Sequence, residues 1–241
     1  PATVAERPAD VDDFVVEIGS GPANAVLVDD AASEVRVSCA RLIYRGADDF
    51  LEIEGTSRHP MVVENPRLRL GAERFQIERG AGTGRLEGVG SMSILRADDP
   101  GTGLQVDWSR GVDLRFRPGT ETLEEALFGG DVLVDDPEFE LVADVLDVRF
   151  ADREEAGQDR IERIIAHGSP QSPAAAGRKS ELGMLSAQVI DLALGLDHAG
   201  RMVPTTMQAT GAVRAEDEEQ TLWTDGLDVT FAVDGEGVGE L

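Results

Sequence analysis

The sequence predicts an all-β protein: a repeat-built, mostly antiparallel sheet of roughly a dozen strands that folds over so that two apolar faces meet. Three observations predict it. A short word of alternating apolar and polar residues returns along the chain, a second limb marked by a glycine returns between its copies, and turn-forming residues separate the two.

The word is clearest as ADVLDVRF (143–150) and returns as AQVIDLAL (187–194), TDGLDVTF (224–231), SRGVDLRF (109–116), AERFQI (72–77) and, more weakly, ARLIY (40–44). Each copy starts on a small residue with an apolar residue three places on: Ala40/Ile43, Ala72/Phe75, Ser109/Val112, Ala143/Leu146, Ala187/Ile190 and Thr224/Leu227. The starting residues lie 32, 37, 34, 44 and 37 residues apart. That regularity marks a structural repeat with loops of unequal length. Beyond the apolar residue, side chains alternate with period two, as in a strand with one dry and one wet face. The dry face reads Phe75 and Ile77; Val112, Leu114 and Phe116; Leu146, Val148 and Phe150; Ile190, Leu192 and Leu194; Leu227, Val229 and Phe231. Asp113, Asp147, Asp191 and Asp228 take the first wet position and read as a solvated face that discourages wrong pairing.

The second limb carries Gly55, Gly88, Gly130, Gly168 and Gly211, each within a short β pattern. Glycine there marks a bulge or bend, because it tolerates unusual backbone angles and close backbone approach. Each module therefore reads as a bent strand, a turn and a straight strand. Turns are expected at GADD (46–49), RGAGTG (79–84), ADDPGTG (97–103), RPGT (117–120), DDPE (135–138), DHAGR (197–201) and VDGEG (233–237). SPQSPAAAGRKS (169–180) reads as a long mobile loop. TETLEEALF (120–128) has the capping-box spacing of a helix start, Thr122 with Glu125, but its place in the repeat calls for a strand.

Composition narrows the function classes. The formal net charge of −25, from 47 acidic and 22 basic residues, repels a phosphate backbone and excludes nucleic acid as a partner. No apolar run approaches the roughly 20 residues of a membrane helix. A start at Pro1 and an end at GVGEL are expected of an excerpt, with residues 1–20 a leader or flexible segment. Residues 21–241 form one repeat-built domain, weaker in its repeats over 26–119 and clearer over 124–234. Cys39 is the only cysteine, so no internal disulfide can form, and it reads as a small buried residue. His59, His167 and His198 lack metal-ligand spacing, and neither a P-loop nor a GxSxG elbow occurs. The acidic pairs at Asp98/Asp99 and Asp135/Asp136 and the cluster Asp10/Asp12/Asp13 read as solvated turns. Trp108 and Trp223 read as sheet-face or rim residues.

The unit A-x-x-apolar-D-apolar-x-apolar, joined to a limb such as Ala209-Thr210-Gly211-Ala212-Val213, resembles the organic-solvent-tolerance (OstA-like) domain of lipopolysaccharide transport proteins, the LptA family. The resemblance is clearest over 124–234, where three consecutive modules match. It implies a V-shaped, open-ended β-jellyroll or β-taco in the periplasm, without enzymatic activity or cofactor, that holds the acyl chains of lipopolysaccharide or another acylated lipid. It also implies end-to-end assembly, with copies or other transport components, through edge strands. The acyl-contacting residues would be the dry-face series, foremost Phe75, Phe116, Phe150 and Phe231 with Leu114, Leu146, Val148, Leu192 and Val229. The acidic exterior is a poor match for phosphorylated sugar heads. A structural scaffold with a sealed core, and a carbohydrate-active enzyme on a β-solenoid, remain open as other readings at this point.

Overall fold

The computed structural model describes residues 15–19, 26–30, 35–56, 58–66, 68–94, 104–118, 120, 122–136, 139–151, 160–169, 172–178, 183–196, 202–217 and 219–231. Among these there is no helix, and all regular structure is strand. The first half of the chain contributes β1 (Val15–Gly19), β2 (Val26–Asp30), β3 (Val35–Cys39), β4 (Arg41–Arg45), β5 (Phe50–Glu54), β6 (Met61–Glu64), β7 (Leu68–Ala72), β8 (Arg74–Glu78), β9 (Thr83–Glu87) and β10 (Gly90–Ile94). The second half contributes β11 (Leu104–Trp108), β12 (Gly111–Phe116), β13 (Leu123–Asp135), β14 (Phe139–Phe150), β15 (Ile161–His167), β16 (Ala174–Arg178), β17 (Met184–Ala187), β18 (Val189–Leu196), β19 (Met202–Glu216) and β20 (Thr221–Thr230). The turn sequences 97–103, 197–201 and 233–237, the aspartates at 10, 12 and 13, and His198 lie outside the described residues.

Every pairing is antiparallel, and the pairings trace two ladders. The first runs β1, β4, β5, β8, β9, β12, the N-terminal half of β13, the C-terminal half of β14, β15, β18, the N-terminal half of β19 and the C-terminal half of β20. The second runs β2, β3, β6, β7, β10, β11, the remaining halves of β13 and β14, β16, β17 and the remaining halves of β19 and β20. Where the linking residues are described, strands of one ladder continue into the other across a shared crease, as β3 does into β4, β7 into β8, β11 into β12 and β17 into β18. Backbone hydrogen bonds run along that crease, from Ala40 N–H to Glu54 O at 2.7 Å, Gly55 N–H to Glu73 O at 2.8 Å, Gly168 N–H to Gln188 O at 2.8 Å and Gln188 N–H to Gly211 O at 2.9 Å.

Because β14 and β19 serve both ladders, the pairings β14–β15–β18–β19–β17–β16 close a circuit of six strands. The expected V, open along one side, is not what these pairings describe. The coarser expectation, an all-β sheet of many antiparallel strands, holds.

Two local expectations change, and one holds. The segment expected as a long mobile loop contains β16, which pairs with both β14 and β17. Its Ala-Ala-Ala-Gly stretch looks like connector composition, yet Ala174 is wholly buried because only a small side chain fits at the crease. The capping-box segment is the start of β13, as the repeat requires, and Thr122 is buried just before it. The supposed straight strand of each module is bent as well. A crease that crosses a folded sheet must cross every strand, and in the word strands small residues such as Ala72, Ala143 and Ala187 take the place of glycine.

The spacing of three in the word reflects this bend. In a straight strand, positions i and i+3 face opposite sides. Here Ala143 and Leu146, like Ala187 and Ile190, are all buried, so the side-chain alternation switches phase between them. In the limb strands the switch is made by a glycine and its successor, both with positive φ: Gly130 and Asp131 in β13 (φ 80° and 43°), Gly211 and Ala212 in β19 (φ 79° and 50°). Left-handed backbone is nearly free for glycine and strained for alanine.

Candidate functional site: two apolar walls

In-register pairing carries the repeated word into lateral rows of side chains. The innermost row of the first ladder runs Ile18, Leu42, Ile53, Phe75, Leu86, Val112, Phe128, Leu146, Ala166, Ile190, Ala209 and Leu227 without a polar interruption. The next inward row holds Ile77, Leu114, Val148, Leu192 and Val229, with Leu51, Ala126, Ile164 and Met207 among the residues between them. Nearest the rim stand Phe116 opposite Leu123, Phe150 opposite Ile161 and Leu194 opposite Pro204. Phe231 follows directly after β20, its N–H donating to Thr205 O at 3.0 Å. The fourteen residues expected on the dry face thus occupy three successive levels of one wall.

Their burial is graded. Val112, Leu146 and Ile190 in the innermost row are 2% exposed and Val148 in the second is 7% exposed. Phe75, Leu114, Phe150 and Leu227 are half-buried against that core. Ile77, Phe116, Leu192, Leu194, Val229 and Phe231 are half-buried too. Side-chain size does not follow that gradient: Ala72, Ala166, Ala174, Ala187 and Ala209 at the crease are wholly buried, but so are Met61, Val132 and Val213, with Trp108 2% exposed beside them.

The dry-face series omitted a second wall. In the second ladder, Val37, Val63, Leu70, Met92, Val106, Val134, Leu141, Ala176, Leu185, Ala215 and Leu222 form a matching apolar row. Both walls belong to one hydrophobic cluster. Trp108 of the second wall meets Phe128 of the first edge-on, ring centroids 5.6 Å apart, and donates from Nε1 to Gly88 O at 3.1 Å. The signal for this wall lies upstream of each small residue, where VRVSC, RLRLG, LQVDW and FELVA keep period two. The first copy also needs a correction of one place: Leu42 packs against the hydrophobic cluster that holds Cys39, whereas Ile43 lies opposite Glu52 and outside that cluster. Burial pushes the Cys39 thiol up, against a lowering hydrogen bond from the Arg41 backbone, which suits a packed residue rather than a reactive thiolate.

Outside, the wet positions share one lateral row in which Arg85 pairs Asp113, Leu127 lies between Asp113 and Asp147, and Ile165 lies between Asp147 and Asp191, with Gln208 and then Asp228 beyond. Asp113 and Asp228 are exposed as expected. Asp147 is not: it is 7% exposed, because Arg149 folds over it with Nη2 and Nε at 3.0 and 3.2 Å. Arg163 Nε reaches Asp191 at 2.7 Å. Nearer the crease, Arg41, Glu54, Arg74 and Glu87 alternate in charge across neighbouring strands. Such oppositely charged neighbours hold the lateral register that keeps the inner rows continuous.

Trp223, on the edge strand β20, is exposed beneath the Arg214 guanidinium, 5.2 Å from its ring centroid. His59 and His167 are exposed. Among the described residues no group of three or more His, Cys, Asp or Glu side chains could hold a metal ion. No protein-family model, curated protein or solved structure matches the chain.

Proposed function

We propose that the protein is a non-enzymatic lipid holder of the bacterial cell envelope, of the kind the resemblance to lipopolysaccharide transport proteins implies, and that acyl chains lie between the two apolar walls. One observation carries this reading: an uninterrupted apolar row runs along each wall, and burial falls outward from the wholly buried crease to half-buried Phe116, Phe150 and Phe231. An alkyl chain needs a continuous greasy surface and no specific polar partner. At roughly 25 cal/mol per Å² of apolar area, even partial insertion of one chain is favourable by several kcal/mol. Ladder strands about 4.8 Å apart offer room for more than one chain along the row.

Uptake of a fluorescent fatty acid by the purified protein tests the reading. Saturable binding is expected, with loss of about tenfold or more in affinity for Phe150→Asp and Leu192→Asp, both half-buried and therefore tolerable to the fold, as circular dichroism would verify. Absence of uptake would favour the scaffold with a sealed core, for which the wholly buried crease is the supporting observation.

A further inference from the structure

We infer that the space between the walls is divided into two compartments by a septum at β11–β14, so that it takes two alkyl chains separately and passes neither from one end of the ladder to the other. The inference rests on the lipid-holding reading and is carried by how burial changes along the second inward row. At the septum that row is closed on both walls: Val106, Ala126, Val134, Leu141 and Val148 are each 7% exposed or less. To the N-terminal side Leu51, Leu70, Ile77 and Met92 are only half-buried. To the C-terminal side Ile164, Ala176, Leu192 and Met207 are half-buried again, with Leu185 almost fully buried beside them. Position at the end of a ladder does not explain the difference. Leu51 and Ile77 lie in β5 and β8 and Leu192 in β18, strands with a paired neighbour on each side, just as β13 and β14 have.

The septum is built from crease to rim. At the crease Trp108 of one wall meets Phe128 of the other edge-on, and its ring fills the space over Gly90, where a Cβ would lie 2.3 Å from it. Above that contact stand the five closed positions of the second row. At the rim Arg117 ties three strand ends together. Its N–H donates to Thr122 O at 2.9 Å, just before β13, and its Nη2 donates to Phe150 O at 2.9 Å, at the end of β14. Thr122 and Ala151 beside these contacts are almost fully buried, although Ile94 and Leu196 at the rims of flanking strands are exposed. An interior packed to this degree has no opening for a chain to pass. On the first ladder β12, β13 and β14 stand between β9 and β15, which are therefore about 19 Å apart at about 4.8 Å per strand. Chains in the two compartments do not touch.

The test titrates a pyrene-labelled fatty acid onto the purified protein, below the concentration at which the lipid aggregates by itself. Two chains per protein are expected, with monomer emission at saturation, because two pyrenes must touch to emit as an excimer. Ile77→Asp should lower the stoichiometry to one by closing the N-terminal compartment to an alkyl chain. The loss expected for Leu192→Asp should likewise be confined to half of the sites. Both residues are half-buried, and circular dichroism checks that the variants fold. A stoichiometry other than two, excimer emission at saturation, or loss of all binding in either folded variant overturns the septum and leaves the lipid-holding reading standing. The emission measurement needs no substitution, so it decides the question even where a variant does not fold. Failure of the unsubstituted protein to bind overturns that reading and the inference together.

Discussion

Leu146 and Asp147 are neighbours in sequence, both almost fully buried, and face opposite sides of the same strand. Leu146 stands in the innermost row between Phe128 and Ala166. Leu146→Ala leaves a void that the crease cannot collapse to fill, so it should cost about 2–5 kcal/mol in urea unfolding. Asp147→Asn removes a carboxylate whose arginine remains 45% exposed and keeps Glu125 within 3.9 Å, so its cost should stay at about 1 kcal/mol or less. A larger loss for the asparagine than for the alanine would mean that the outer charge rows, not the walls, hold the fold. The inward list was legible in the sequence because period two is set by the chain itself. The burial of Asp147 was not, since it depends on which arginine a neighbouring position folds over it. The register slip at Ile43 has a similar origin: in RLIY, consecutive apolar residues leave the phase undetermined until Glu52 is placed beside it.

At the scale of elements, the crease is the feature on which the walls depend. A Cβ built on Gly168 would lie 2.0 Å from the backbone nitrogen of Ala174, and one on Gly55 would lie 2.2 Å from that of Met61. Neither neighbour is a flexible side-chain end, so backbone must move. Gly71, within a strand of the second ladder, has only ordinary contacts from 3.8 Å outward. Gly168→Ala should therefore cost about 2–4 kcal/mol, and Gly71→Ala less than about 1 kcal/mol, by thermal or urea unfolding. Comparable effects at the two sites would show that the bend at Gly168 is not a tight constraint. Glycines in β patterns revealed half of the crease from sequence. The other half passes through Ala72, Ala143 and Ala187, whose signal was an odd spacing between two buried positions rather than a residue type. β16 was hidden because alanine, glycine, serine and proline are the composition of a connector, and only the placement of β14 and β17 on either side makes a strand of it.

For the whole molecule, stability should be distributed along the ladders rather than shared evenly. Each strand is held by its lateral neighbours, so a central strand is supported on both sides and a terminal one on a single side, as in repeat proteins whose stability sums nearest-neighbour terms. β13 and β14 belong to both ladders and contain Val132, Val134, Leu141 and Ala143 among the most buried residues. β20 pairs with β19 alone among the described residues, and most of its side chains are exposed, Leu222 and Trp223 included. Amide hydrogen exchange read by mass spectrometry should accordingly find protection strongest over residues 125–149 and falling toward 221–230, where opening from the edge lowers protection by about tenfold or more. The gradient also discriminates between an isolated ladder and one capped at its end. An unpaired edge strand invites association, so uniform protection extending through β20 at working concentration, with the gradient restored on dilution, would show that Leu222 and Trp223 are covered in solution. Uniform protection at every concentration would instead show that the ladder unfolds as one cooperative unit, and the nearest-neighbour account of its stability would have to be abandoned.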